Sequence, residues 1–305
     1  MNLQTTLNEV ASEVRNLLGK GSVANYIPAL AIADPTKFAM AIATVHGDVF
    51  SVGDCDELFS IQSISKVFAL TQAFKILDSD LWRRVDRENA GSEFNSLLAL
   101  ELSAGIPRNP LSNAGAIVTT DVILTEKGKE TKASLLEFFR VRSGNTSIDF
   151  NEEIAQLESE HGRRTKALAY LIASFKNLEN HPQTVSMLYF YQCAMEASCV
   201  DLARSLLFLA NKGVCPISQE YVISASQVKR INSILLTCGH YDVSGDFAFR
   251  VGLPGKSCVS GAIAALVPGK MAIAAWSPAL NKDGVSLAAS AALEIFATKT
   301  GLSVF

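Results

Sequence analysis

The sequence is short of histidine and lacks the usual metal and hydrolase motifs. Only four histidines occur in 305 residues, and neither His-Glu-x-x-His nor Gly-x-Ser-x-Gly is present, which argues against a zinc peptidase or an α/β-hydrolase. The six cysteines lie at no metal-ligand spacing, and we interpret them as reduced thiols. Gly255-Lys256-Ser257 resembles the end of a phosphate loop, but Arg250 stands where that loop needs glycine. We therefore expect no metal and no cofactor.

The sequence also has no extended basic stripe and no apolar run long enough to span a membrane. The formal charge is −3, and no basic stripe is interleaved with aromatic residues, so no nucleic-acid partner is indicated. The N-terminal 21 residues carry apolar side chains at helical spacing, which predicts an amphipathic helix and no signal peptide. The apolar stretch from Cys258 to Pro278 is interrupted by the turn signal at 267–270 and predicts a β-hairpin, not a membrane span. We expect a cytoplasmic protein.

The feature that says most about chemistry is Ser63 followed by Lys66 in FSIQSISKVFALTQAFKIL. On a helix, residues three apart share a face, so hydroxyl and amine could touch and form a nucleophile without histidine. The same spacing recurs at Ser226 and Lys229, which shows how common the pattern is. Only Ser63 follows two strand-like segments (38–45 and 48–53) and begins an apolar helix, which is the order in serine acyl-transfer enzymes of the β-lactamase class.

The order of predicted elements favours an α+β fold. Strand-like segments lie near both ends of the chain, with a long helical middle and a final alanine-rich helix from about 284 to 299. An antiparallel sheet built from the N- and C-terminal segments, flanked by helices and carrying an inserted all-helical lobe, satisfies this order. We predict one domain over 1–305, with an α/β lobe formed by 1–62 plus 225–305 and a helical lobe formed by 63–224.

Several motifs together resemble those of the bacterial serine-dependent glutaminases, over nearly the whole chain. The likeness rests on YIPAL at 26–30, FSIQSISK ending at Lys66, GIPRNP at 105–110, NAGA at 113–116, YFY at 189–191, Cys193, FLAN at 208–211, RVGLP at 250–254 and WSP at 276–278. The resemblance implies a β-lactamase-like fold and hydrolysis of L-glutamine to L-glutamate and ammonia. It also implies a homodimer or homotetramer.

The resemblance assigns roles to particular positions. Ser63 is then the nucleophile and Lys66 its base, and Tyr241, or Tyr189 as the weaker candidate, passes a proton to the departing ammonia. The backbone N–H groups of Ser63 and Val259 would stabilise the oxyanion. The residues implied to contact glutamine are Ser63, Asn113, Glu158, Thr165, Tyr189, Tyr241 and Val259.

Some of these assignments have alternatives. Asn113 could instead cap the helix that begins at Ala114. Glu158 stands near Glu153 and Glu160, and only the Glu-His-Gly spacing of the family selects it.

The chain also departs from the family pattern. Thr165 stands where the family usually has asparagine, so one amide is lost beside the amino-acid head of the substrate. Cys258, Ser260 and Ala262 replace glycines and are expected to alter the pocket wall. Two other functions therefore stay open: hydrolysis of another amide, such as asparagine or a β-lactam, and an inactive relative that only binds an amino acid or a partner protein.

Overall fold

One antiparallel sheet forms the centre of the molecule. The computed structural model describes residues 2–89 and 96–305. The sheet has five strands in the order β2-β1-β7-β6-β5, and a separate pair is formed by β3 and β4. The strand bounds are β1 Ala39–Thr44, β2 Val49–Gly53, β3 Phe59–Ser60, β4 Glu196–Ala197, β5 Gly255–Ser257, β6 Ala262–Val267 and β7 Met271–Trp276.

Helices cover the sheet and make up most of the central part of the sequence. Short 3₁₀ turns at Gln62–Ile64 and Tyr241–Val243 add to them. The α-helices are α1 Leu3–Val14, α2 Pro28–Ala31, α3 Ser65–Leu77, α4 Leu97–Leu102, α5 Asn113–Lys127, α6 Thr131–Ser143, α7 Glu152–His161, α8 Arg163–Ser174, α9 Pro182–Cys193, α10 Cys199–Ser205, α11 Leu207–Ala210, α12 Ala225–Cys238, α13 Ser244–Arg250 and α14 Leu287–Thr300.

The two faces of β1 differ in size because side chains alternate along a strand. Met40 and Ile42 pack with α1 and α14 on one face, while Ala39, Ala41 and Ala43 belong to the core beneath the helical region. All of these side chains are fully or almost fully buried. The small side chains allow α10 to pack directly on β1, which brings the helical region close to the sheet.

The first helix is stabilised by its apolar stripe. Leu7, Val10 and Val14 have no exposed surface, and each contributes about 1.5–3 kcal/mol by leaving water. Asn2 caps the helix by accepting a hydrogen bond from the N–H of Thr5. The amphipathic helix expected at the N-terminus is therefore confirmed.

The predicted α+β class is confirmed, with one sheet built from both ends of the chain. The central pairing joins Ala39 to Trp276 and Thr44 to Met271, and the predicted hairpin is the β6–β7 pair. The division into lobes at 62/63 and 224/225 stays a prediction. The two-residue strands β3 and β4 were not predicted, because a pair so short has no periodicity in the sequence.

No helix within the described residues is long and apolar enough to cross a membrane.

Candidate active site

Ser63 lies at the junction between the small sheet and a buried helix. The chain leaves β3, makes the 3₁₀ turn and continues directly into α3. Gln62, immediately before Ser63, has φ +44°, a left-handed conformation that is costly for a residue other than glycine. Such strained positions are common at functional sites. The turn leaves Ser63 on the wall of a cavity of about 280 Å³.

Lys66 is fully buried one turn further along α3. Its Nζ donates to Asn113 Oδ1 at 2.6 Å and to the Leu111 carbonyl at 3.2 Å. Burial lowers the pKa of this amine to about 8, and the nearby Cys193 and Glu158 oppose the shift. About one amine in ten is therefore neutral at pH 7, far more than for an ordinary lysine.

The predicted contact between Ser63 and Lys66 is not a direct hydrogen bond. Among the residues that the structure describes, the hydrogen bonds of the Lys66 amine go to Asn113 and Leu111. The Ser63 side chain instead lies near the Tyr241 phenol, close enough to oppose the rise in its pKa. Catalytic hydrogen bonds often form only in the complex with substrate.

Asn113 is the polar centre of the site. Its Oδ1 accepts from Lys66 and from the Tyr189 hydroxyl at 3.1 Å, and its Nδ2 lies 3.4 Å from Thr165 Oγ1. The alternative that Asn113 caps the helix is wrong, because Ser112 is the cap of α5 and accepts from the N–H of Gly115. The Asn113 side chain is thus available to the cavity.

Tyr241 lies near Ser63 on the wall of the same cavity. It begins a 3₁₀ turn with φ +52°, so its backbone is also left-handed. Burial raises the pKa of the phenol well above its ordinary value, and the contact with Ser63 opposes this rise. Tyr241 is therefore a protonated hydroxyl at neutral pH, and of the two candidate tyrosines it is the one in contact with Ser63.

Glu158 is the buried carboxylate of the cavity. Its side chain accepts a hydrogen bond from the Tyr26 hydroxyl at 2.6 Å, and burial raises its pKa, while the hydrogen bonds of Tyr26 and Gln62 oppose the shift. Glu153 and Glu160 are exposed and do not line this cavity. The geometry therefore selects Glu158 among the three glutamates as the charge available to a ligand.

Val259 occupies the tight turn between β5 and β6. The turn is closed by a hydrogen bond from the Gly261 N–H to the Cys258 carbonyl. Cys258 Sγ lies 3.0 Å from Ser260 Oγ, and the Trp276 indole donates to the Ser260 carbonyl. The non-glycine side chains of this segment therefore point into supporting contacts, and Val259 is the member of the turn on the cavity wall.

The cavity brings together all but one of the residues assigned from the sequence. Lys66 is the exception, because it lies behind Asn113 without lining the cavity itself. Of three larger grooves, those of about 520 and 780 Å³ contain none of these residues and that of about 400 Å³ contains only Val259, so the candidate site is chosen by its chemistry and not by its size. The cavity is lined by Tyr26, Gln62, Ser63, Asn113, Glu158, His161, Gly162, Arg164, Thr165, Tyr189, Cys193, Tyr241 and Val259.

Comparisons with known proteins identify the family of the chain. A family model described as Glutaminase matches residues 21–305. The chain is 52% identical over 305 residues to a glutaminase of Aliarcobacter butzleri, covering 100% of both chains. It is 49% identical over 304 residues to a thermolabile glutaminase of Rhizobium etli, covering 99% of this chain and 98% of the other. The chain belongs to the glutaminase family.

Solved structures of other glutaminases have the same fold. The probable glutaminase YbaS superposes with a TM-score of 0.95 at 36% identity, over 99% of this chain and 98% of the other. A probable glutaminase from Bacillus subtilis, complexed with 6-diazo-5-oxo-L-norleucine, gives 0.89 at 32% identity, over 100% and 98%. The resemblance inferred from the sequence motifs is thereby confirmed.

Some wall residues of this glutaminase were missed as site residues by sequence reasoning. Tyr26 lies within a family motif, but nothing in the motif indicates that its hydroxyl reaches Glu158. Gln62 lies within the FSIQSISK motif and Cys193 is itself one of the matching positions, but only the three-dimensional structure shows that they face the cavity. Within the described residues no group of histidine, cysteine or acidic side chains is arranged to hold a metal ion.

Proposed function

We propose that this glutaminase hydrolyses L-glutamine to L-glutamate and ammonia through a seryl acyl-enzyme. The observation that carries the proposal is one small cavity lined by a serine, a tyrosine and a buried carboxylate, with a buried amine of lowered pKa behind Asn113 in its wall. A cavity of about 280 Å³ is near the lower end for small-molecule sites. It suits an amino acid better than a polymer.

The first half of the reaction forms an ester. Ser63 Oγ attacks the carbonyl carbon of the side-chain amide while its proton passes to the Lys66 amine. The oxyanion is stabilised by the N–H groups of Ser63 and Val259, each of which lowers the barrier by about 3 kcal/mol. The C–N bond then breaks as Tyr241 delivers a proton to the leaving nitrogen, and ammonia departs. Lys66 passes the serine proton on to Tyr241, so that the amine is neutral and the phenol protonated before water enters.

The second half of the reaction frees the enzyme. Water loses a proton to Lys66 or to a tyrosine and attacks the ester carbonyl, after which the bond to Ser63 Oγ breaks and the serine regains a proton. Glutamate is released, and atoms and charges balance over the two steps. No metal or cofactor takes part in this scheme.

The remaining side chains recognise the amino-acid head. Glu158 pairs with the substrate ammonium, and Asn113 and Tyr189 contribute polar groups on the same wall. Thr165 supports Asn113 through its hydroxyl. Arg164, on the same helix, supplies a positive charge at the rim that complements the substrate carboxylate.

Ammonia release from L-glutamine, with L-asparagine as the comparison substrate, tests the proposal. We expect turnover of glutamine that is lost in Ser63→Ala and kept in Ser226→Ala, since Ser226 begins the second Ser-x-x-Lys in an exposed position. A diazoketone analogue of glutamine should add one adduct to the wild type and none to Ser63→Ala. Activity that survives Ser63→Ala would refute the acyl-enzyme. Binding of glutamine without turnover would support the inactive relative.

We also propose a cytoplasmic location and a homodimer or homotetramer. The location is supported by the six cysteines, all of which are buried free thiols, as expected in a reducing compartment. Cell fractionation tests the location, and light scattering of the purified protein tests the assembly.

A further inference from the structure

Lys256 is a second buried lysine, which the proposed reaction does not use. It lies on β5 opposite Ala264 of β6 and is 1% exposed. Burying an amine is unfavourable unless its N–H groups are bonded. The hydrogen-bond partners of the Lys256 amine therefore indicate the structural role of this residue.

Those partners tie β5 to the segment that carries Tyr241. The Lys256 Nζ donates to the Gly239 carbonyl at 2.9 Å and to the Ser257 carbonyl at 2.7 Å. Gly239 is the C-cap residue of α12 and lies two positions before Tyr241. The N–H of Ser257 donates to the same Gly239 carbonyl at 3.2 Å. Two adjacent residues of β5 thus hold one carbonyl at the start of the Tyr241 turn.

The tether depends on close backbone contact. A Cβ atom at Gly239 would lie 1.8 Å from the Gly255 carbonyl oxygen, so only glycine allows the end of α12 to approach β5 this closely. After Gly239 the chain turns sharply, and Tyr241 adopts its left-handed conformation. Such a conformation persists only where the surroundings impose it.

Lys256 also contacts the ring of Tyr241 directly. Its Nζ lies 4.4 Å from the centroid of that ring, within the range of cation–π contacts. Burial lowers the pKa of Lys256 well below its ordinary value, and the nearby Lys66 lowers it further. Both carbonyl hydrogen bonds survive deprotonation, because a neutral amine still has two N–H bonds. The tether is therefore independent of the protonation state.

We propose that Lys256 is a positioning residue that holds the Tyr241 phenol against Ser63 by anchoring the Gly239 carbonyl and packing on the phenol ring. The inference rests on the proposed function, in which Tyr241 protonates the leaving nitrogen. Lys256 does not reach the cavity wall and acts only through Tyr241. Its loss should lower kcat and leave KM nearly unchanged.

A double-mutant cycle tests this role. Tyr241→Phe should lower kcat about 100-fold, and Lys256→Met, which keeps the side-chain length without the donors, about tenfold or more. If Lys256 acts through the phenol, Lys256→Met should cost less than about twofold in the Tyr241→Phe background. Lys229→Met, at an exposed lysine, is the control for lost charge and should behave as the wild type.

The outcomes separate the alternatives. Equal losses from Lys256→Met in both backgrounds would overturn the proposal, as would an effect on KM or on thermal stability with kcat unchanged. If Lys256→Met does not fold, Lys256→Gln and Lys256→Arg are tested in the same cycle, because both keep N–H donors. A kcat that either variant partly restores supports the tether. A wild-type protein without glutaminase activity would refute the proposed function instead, before the cycle begins.

Discussion

The activity of this glutaminase should depend on pH through Lys66. Burial lowers the pKa of its amine from 10.5 to about 8. At pH 7 about one amine in ten is then neutral, against about one in 3,000 for an unperturbed lysine, so burial increases the fraction of competent base about 300-fold. Below pH 8, kcat/KM should fall about tenfold for each pH unit.

The assay is the initial rate of ammonia release between pH 6 and pH 10, with kcat and KM determined at each pH. We expect a plateau above about pH 8.5 and a slope near one on the acid side. A rate that is flat from pH 6.5 to pH 9, or an inflection near pH 10, would refute the assignment of Lys66 as the base.

The same burial has a cost in stability, and its sign can be checked independently. A shift of about 2.5 pKa units corresponds to about 3 kcal/mol, because the folded protein disfavours the charged amine. The penalty is complete below pH 8 and disappears as the pH rises towards 10.5, since the unfolded chain then holds the proton and the folded chain does not. Lys66→Met should therefore stabilise the fold at pH 7, less the hydrogen bonds to Asn113 and Leu111, and its stability advantage should shrink above pH 8 in urea titrations.

Three further predictions concern the pocket and its support. Glu158→Gln should raise KM for glutamine about ten- to a hundredfold by removing the partner of the substrate ammonium, which steady-state kinetics measures, and an unchanged KM would contradict the role. Thr165→Asn should lower KM about tenfold by restoring an amide at that position; a KM that stays constant or rises would show that the pocket is not limited there. Gly115→Ala should destabilise the fold by about 3 kcal/mol in thermal melts, since its Cβ would lie 2.0 Å from the Asn109 carbonyl oxygen. Gly245→Ala is the control, because the space around Gly245 is open, and it should stabilise the fold by about 0.5–1 kcal/mol.

Much of the fold was predictable because its signals are local. The continuous apolar run of β1 and the turn at 267–270 locate strands without knowledge of their partners. The apolar helix after Ser63 was equally clear. The pairing of β3 with β4 could not be predicted, since it consists of two residue pairs that join distant parts of the chain. Contacts of that kind leave no periodic signal.

The candidate site was predictable only as a set of positions. Motifs identified Ser63 and Asn113, but the sequence did not indicate that the Lys66 amine bonds to Asn113 rather than to Ser63. The sequence also did not indicate the surroundings of His240. In the structure it is fully buried and stacks on Phe247 at 3.6 Å between ring centroids. Such details follow from packing between elements, which residue spacing does not encode.

The strand order of the sheet also decides when the protein can fold during its synthesis. β1 is an interior strand whose neighbour β7 ends at Trp276, so more than two hundred residues must leave the ribosome before that edge of β1 is paired. Until then the exposed edge of β1 and its apolar residues are open to other chains. Pairings so distant in sequence form slowly. Synthesis of β7, although this strand lies far along the chain from Ser63, therefore decides when the nascent enzyme is protected from aggregation.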